Sequence, residues 1–322
     1  MDKRHILVVG SETHFGRRLA ERCRNRDDIV VHGVAVEPSP YRLPGVEVHR
    51  VDIARSGAES ELVEVISKHQ IDTVVHLAFR EVPTRDQRAD HELEVGGSRC
   101  LIEACTRSGV PRLVVLSSTQ VYGARFENPH HLSEDAELHG HPRAHWVDHR
   151  VQVERLLAEL RERPDGPAIT VLRPCWIMGP SYLDPMVRYF ESEWVPTVLG
   201  SDPLLQFVHE DDVLDALEAS VVESHPGVFN LVGEGVLPLS GYLGLAGKVN
   251  VRLPRWVLAA TTGSPVALAS DDHAEGFFDY LKYMWVASGA RAREAFGPPT
   301  YTSREAWIAM VGARRFDEPR TR

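Results

Sequence analysis

Six short apolar runs rich in β-branched residues recur through the first 174 residues: HILVV (5–9), IVVHGVAV (29–36), VEVHRV (46–51), DTVVHLA (72–78), LVVLSS (113–118) and AITVLR (168–173). Helical patterns fall between them, near 15–25, 58–69, 90–108 and 144–163. Strands joined by segments long enough to hold a helix pair in parallel, because a tight hairpin turn can only reverse the chain. The alternation therefore predicts an α/β fold, a doubly wound parallel sheet with helices on both faces. After residue 174 the rhythm changes: Pro and Gly become frequent, strands shorten (GVFNLVG), and helices such as DDVLDALEASVV and ASGARAREAF alternate with loops. The expected organisation is a first domain over 1–174 and a smaller lobe over 175–322, some of whose segments return to the sheet.

At 322 residues, 43% hydrophobic and 25% charged, the chain is long enough for such an arrangement. A net charge of −10 argues against nucleic acid or an anionic membrane as a partner. No stretch reaches 18 uncharged apolar residues, and MDKRHILVVG runs directly into a strand, so a cytoplasmic location is expected. Cys23, Cys100, Cys105 and Cys175 form no CxxC pair and read as reduced thiols.

The first chemical signal is VVGSETHFGRRLA. A strand ends in Gly10 and a helix opens at Gly16, the place where a Rossmann unit lays a pyrophosphate on a helix N-terminus. Gly10, Thr13, His14, Phe15 and Gly16 are the candidate loop. Glu37 closes the second strand 21 residues after Gly16, where a carboxylate accepts ribose hydroxyls and repels a 2′-phosphate. NAD is thus expected over NADP.

RVDI (50–53), DTVVHLAF (72–79), EVGGSRCLIEAC (94–105), GVPRLVVLSSTQVYG (109–123), LSEDAELHGHP (132–142), VLRPCWIMGP (171–180), FVHEDDVLDAL (207–217) and GVFNLVGEG (227–235) extend the signal. In this order they resemble the extended short-chain dehydrogenase/reductases, the NAD-dependent epimerase/dehydratase family, over nearly the whole chain. The resemblance implies that Asp52 and Ile53 flank the adenine and that Leu77, Ala78 and Phe79 lie along the cofactor. It also gives Ser118 the role of hydrogen-bonding the reacting oxygen, and places Arg80, Thr119 and Gln120 on the substrate side. The implied partner is a small-molecule substrate, and a homodimer is allowed.

Departures from the family carry equal weight. Counting back from Glu154 in RVQVERLL, its lysine position is Arg150 and its tyrosine position Trp146. No tyrosine in the chain has a lysine four residues later. The family's phenol moves the carbinol proton while the ammonium lowers the phenol's pKa and holds the nicotinamide ribose. An indole N–H donates but does not ionise near neutrality, whereas a guanidinium keeps a permanent charge and a fork of donors. The middle glycine of GxxGxxG is Thr13. The asparagine that meets a sugar nucleotide is Trp176, and an arginine that meets its diphosphate aligns with Leu205. These changes favour a small, partly apolar substrate over a nucleotide sugar. The neutral Thr119 and Gln120 replace the Asp–Glu pair of the family's dehydratases.

His145 and His149 lie one helical turn apart beside Asp148, and His149 is the candidate to replace the lost proton donor. His141, His145 and His149 also share a four-residue spacing, but HExxH is absent and no metal site is assigned. Three readings stay open: an NAD-binding oxidoreductase or epimerase with a substituted acid/base; the fold reused for a cyclisation, elimination or isomerisation; or a catalytically silent cofactor-binding or sensor protein.

Overall fold

The computed structural model describes residues 3–37, 43–80, 84, 86–260 and 273–317. Its strands, in chain order, are β1 (Arg4–Val9), β2 (Ile29–Ala35), β3 (Glu47–Arg50), β4 (Thr73–His76), β5 (Arg112–Leu116), β6 (Ala168–Pro174), β7 (Trp176–Met178), β8 (Trp194–Val198), β9 (Leu204–Leu205), β10 (Phe207–His209), β11 (Gly227–Leu231), β12 (Leu237–Pro238) and β13 (Val249–Leu253). Seven of them form one parallel sheet in the order β3-β2-β1-β4-β5-β6-β11. The order reverses between β1 and β4, which opens a crevice at the carboxyl ends of the strands.

The helices of the first half are α1 (His14–Arg24), α2 (Ala58–His69), α3 (Gln87–His91), α4 (Gly97–Ser108) and α5 (His145–Arg161). In α1 the buried residues Phe15, Leu19, Ala20 and Cys23 recur at helical spacing and face one apolar layer of the sheet. Removing a fully buried side chain there, as in Leu19→Ala, costs about 3 kcal/mol. Leu62 and Ile66 of α2, Leu101 and Cys105 of α4, and Val153 and Leu157 of α5 build the other layer. The helix expected from residue 90 starts at Gln87 and passes through a π-helical turn, Glu92–Gly96, before continuing as α4. The wider turn sets Glu94 and Ser98 inward, where both are buried.

The second half adds α6 (Pro185–Glu191), α7 (Glu210–Val222), α8 (Leu239–Leu245), α9 (Arg255–Ala260), α10 (His273–Tyr280), α11 (Ala290–Phe296) and α12 (Ser303–Asp317). GVFNLVG comes back to the sheet as β11 beside β6, and α7 lies against α1. The rest is built from two-stranded pairs, β7 with β10, β8 with β13 and β9 with β12. Around Trp176 an aromatic cluster forms from Phe190, Phe207, Phe277 and Trp285.

Candidate active site

Two adjoining clefts open at the strand ends and share Thr13, Phe79 and Arg80 in their walls. The first runs past Gly10, Val36, Asp52, Ile53 and Ala78. Gly10 has φ of +87°, and a Cβ there would stand 2.7 Å from the backbone of Leu77 and Ala78, so the glycine permits the β1 and β4 ends to meet. Gly16 is equally constrained: a Cβ would lie 2.1 Å from the Gly10 carbonyl oxygen. Thr13 caps α1. Its hydroxyl donates to the Gly10 carbonyl at 2.8 Å and accepts the Gly16 N–H at 3.1 Å. One N–H of the helix terminus is thereby taken by the protein itself.

The second cleft is walled by Ser118, Gln120, Trp146, Arg150 and Trp176, with Phe15 and Leu77 beneath. Leu116, Pro174, Ile177, Met186 and Phe277 make most of the remaining surface apolar. Ser118 stands at the end of β5 and accepts the Gln120 N–H at 3.2 Å. The Arg150 guanidinium lies 4.7 Å from the Phe79 ring centre, and its Nη1 is buried with no hydrogen-bond partner among the described residues. Below it His76 is fully buried, with Nε2 2.7 Å from the Ser98 hydroxyl. Burial first, then the Arg150 charge, pushes His76 down to about 3, so it is neutral.

A buried network sets the register of α5. Glu154 accepts both from Arg173 Nε, at 3.0 Å to each oxygen, and from Ser117. Arg173 donates on to the Tyr122 hydroxyl at 2.6 Å, which donates to Asn230 at 2.8 Å. Because Arg150 is one turn before Glu154 and Trp146 one turn before that, fixing Glu154 aims both at the cleft.

The structure thus brings together Gly10, Thr13, Phe15, Asp52, Ile53, Leu77, Ala78, Phe79, Arg80, Ser118, Gln120, Trp146, Arg150 and Trp176. Six of the residues singled out from the sequence lie outside the two linings. His14 turns to Glu210 at 2.9 Å, and Gly16 is packed under the loop. Glu37 is exposed just past β2. Thr119 is fully buried, with its hydroxyl towards the Pro174 carbonyl. Leu205 is buried beside Cys175 and Trp285, in a separate small cavity. His149 is buried against Glu94. His141, His145 and His149 each face a different carboxylate, of Asp279, Asp90 and Glu94, so they do not converge on one point.

Among the wall residues that escaped the sequence reading are Glu12, Tyr182 and Asp184. Glu12 lines the first cleft and accepts the Val36 N–H at 3.4 Å, which puts a carboxylate at the end of β2. Tyr182 and Asp184 line the second, on the loop before α6, where Asp184 accepts the Val187 N–H at 2.7 Å. The only sequence signal for the last was an Asp-Pro helix start, which marks a cap and not a site.

A family model described as the NAD dependent epimerase/dehydratase family matches residues 6–231. The uncharacterized protein Rv0501 of Mycobacterium tuberculosis is 31% identical over 310 residues, 94% of this chain and 82% of the relative. Short-chain dehydrogenase/reductase family 42E member 1 of Macaca fascicularis is 28% identical, over 66% of this chain and 57% of its own length. Among solved structures, MoeE5 in complex with UDP-glucuronic acid and NAD superposes with a TM-score of 0.74 at 22% identity, covering 98% of this chain and 100% of that one. UDP-glucose 4-epimerase of Thermotoga maritima gives 0.73 at 18% identity, covering 97% and 99%. The parallel sheet, the glycine loop at its switch point and the match over residues 6–231 agree, and the chain belongs to the NAD-dependent epimerase/dehydratase family.

Proposed function

We propose that the protein binds NAD across the two clefts and acts, as an oxidoreductase or isomerase, on a small and partly apolar substrate. The observation that carries this is Arg150: a charged donor held on Phe79 in a cleft wall, with its buried Nη1 unpartnered by protein, fits a nicotinamide ribose. Bound NAD supplies a hydride acceptor. Gly10, Asp52, Ile53 and Ala78 hold the adenosine half, and residues 1–174 act as the cofactor domain with residues 175–322 closing the substrate side. Ser118 hydrogen-bonds the reacting oxygen. Trp146, Trp176, Met186 and Phe277 exclude water and favour an apolar or planar group.

Beside Ser118, the Tyr182 phenol and the Asp184 carboxylate are the proton-handling groups of this wall. Among the described residues the charged side chains in the second cleft are Arg80, Arg150 and Asp184, a poor match to a nucleoside diphosphate, which calls for several cations. The indole at 146 favours one second reading, in which the cofactor is bound and the net reaction is not redox. The test is a titration of the protein and of Arg150→Met with NAD, followed by absorbance of NADH with a panel of small secondary alcohols and chromatographic product analysis with UDP-sugars. Binding weakened by Arg150→Met, turnover of an apolar alcohol and no reaction of UDP-sugars are expected. Absence of NAD binding, or epimerised UDP-sugar, overturns the reading; binding without hydride transfer selects the second.

A further inference from the structure

One face of the sheet edge carries histidines where a hydrophobic layer is due. Alternate residues of a strand share a face, and β2 places His32 with Val34, the latter in the apolar layer under α2. Register aligns Leu7 with His32, His32 with Glu47, and Val34 with His49, so all of these side chains point to that face. His69, the last residue of α2, closes over them. Its ring centre lies 4.2 Å from that of His32 and 5.0 Å from that of His49.

His32 Nδ1, His49 Nε2 and His69 Nε2 are each buried, and none has a hydrogen-bond partner among the described residues. His32 itself is only 4% exposed. A Glu47 carboxylate oxygen stands 3.9 Å from both His32 Nδ1 and His69 Nε2. One candidate ligand atom from each of the four residues falls within 4.8 Å of the others. Three orphaned nitrogens at one buried point are costly, because each has lost its water without gaining a partner.

We propose that His32, Glu47, His49 and His69 form a divalent metal site of the zinc class. Three imidazoles and one carboxylate are a borderline-soft donor set that suits Zn²⁺ over Mg²⁺ or Ca²⁺. Zinc ligands at about 2.0–2.1 Å from the ion stand about 3.4 Å apart, so side-chain rotations that draw the four atoms in from within 4.8 Å of one another close the set. His5 Nδ1 lies 3.2 Å from His32 Nε2. A proton on His32 Nε2 shared with His5 leaves the Nδ1 lone pair free for the ion, the usual outer support of a ligating histidine.

The site is structural. Asp72, three residues after His69, donates its N–H to the His5 carbonyl at the start of β1, opposite the strand ends that hold the clefts. The ion would pin the four-residue edge strand β3 to β2 and to the end of α2. The ligands come from three separate elements, and only Glu47 and His49, two apart on one strand, are neighbours in sequence.

The test uses the whole chain, stripped with a chelator and titrated with ZnCl₂ and with CoCl₂, beside Glu47→Gln, His49→Gln and His69→Gln. One Zn²⁺ per chain, visible Co²⁺ absorption of a tetrahedral site and a higher melting temperature with Zn²⁺ are expected. Each histidine variant should weaken Zn²⁺ by more than about 100-fold, beyond the effect of losing an outer partner. Far-UV circular dichroism confirms that each is folded; if His49→Gln is not, the His69 and Glu47 variants decide. Binding below one ion per chain, or binding that survives these substitutions, overturns the site.

Discussion

His149 Nδ1 lies 2.7 Å from Glu94 Oε2 with both side chains buried, so the imidazole is a support beneath the cleft wall. The other oxygen of Glu94 accepts the Arg80 N–H at 3.1 Å. One turn earlier on α5, His145 faces Asp90 at 3.4 Å, and Asp90 also pairs with the Arg80 guanidinium. Two histidines four apart thus meet two carboxylates four apart, and together they place Arg80 where the clefts join.

His149→Ala strands the buried Glu94 carboxylate and should destabilise the fold by about 2–3 kcal/mol. His145→Ala, with a longer and less buried contact, should cost about 1 kcal/mol. Urea unfolding of both variants measures the difference, and equal losses would remove the special position of the Glu94 contact.

Thr13→Gly should tighten NAD binding. The hydroxyl no longer occupies the Gly16 N–H, and glycine is itself an acceptable cap, so stability should fall by only a few tenths of a kcal/mol, about 0.3. Calorimetric titration of NAD checks the first part and thermal melting the second.

Discrimination against NADP should depend more on Glu12 than on Glu37, since Glu12 lines the first cleft and Glu37 is exposed beyond it. Glu12→Gln should improve NADP binding by about tenfold, equivalent to about 1.4 kcal/mol, with a smaller change for Glu37→Gln. Parallel NAD and NADP titrations distinguish them; the reverse order would return the role to Glu37.

Restoring the family pair, with Trp146→Tyr and Arg150→Lys together, should not produce an efficient dehydrogenase. An ammonium loses the planar contact with Phe79, and the phenol must come within about 3 Å of the substrate oxygen in a wall shaped around indole. NADH formation by the double variant is the measurement, and a rate above that of the unaltered chain would show the two positions to be simple losses.

Glu210 joins α1 to the second half of the chain, accepting from His14, Arg18, and the Ser181 N–H and hydroxyl. Burial alone would raise its pKa; the contacts from His14, Ser181 and Arg18 prevail and hold it at about 2. A carboxyl depressed on folding contributes stability above its unfolded pKa of about 4.3 and loses it as pH falls towards 2, some 3 kcal/mol in all. Glu210→Gln should therefore be less stable at pH 7 and flatten the acid limb of the stability curve between about pH 5 and 2.

Local pattern carried the fold. The short continuous apolar runs and the intervening helical segments led to the parallel sheet, because both patterns are written into consecutive residues. The glycine loop was legible for the same reason, lying between a strand end and a helix start; Ser118 and the Trp146/Arg150 pair counted from Glu154 were placed by the resemblance to the family. What the tertiary structure alone decided is which side chains meet across elements. Glu12 reaches the end of β2, Tyr182 and Asp184 join a wall that gathers residues from Phe15 to Phe277, and His149 is drawn to Glu94 and away from the cleft. His32, Glu47, His49 and His69 gather on one face only because β2 and β3 pair in register and α2 ends above them. Spacing along the chain reports the direction of a side chain within its own strand or helix; convergence depends on the register and packing between elements, which no single stretch of sequence contains.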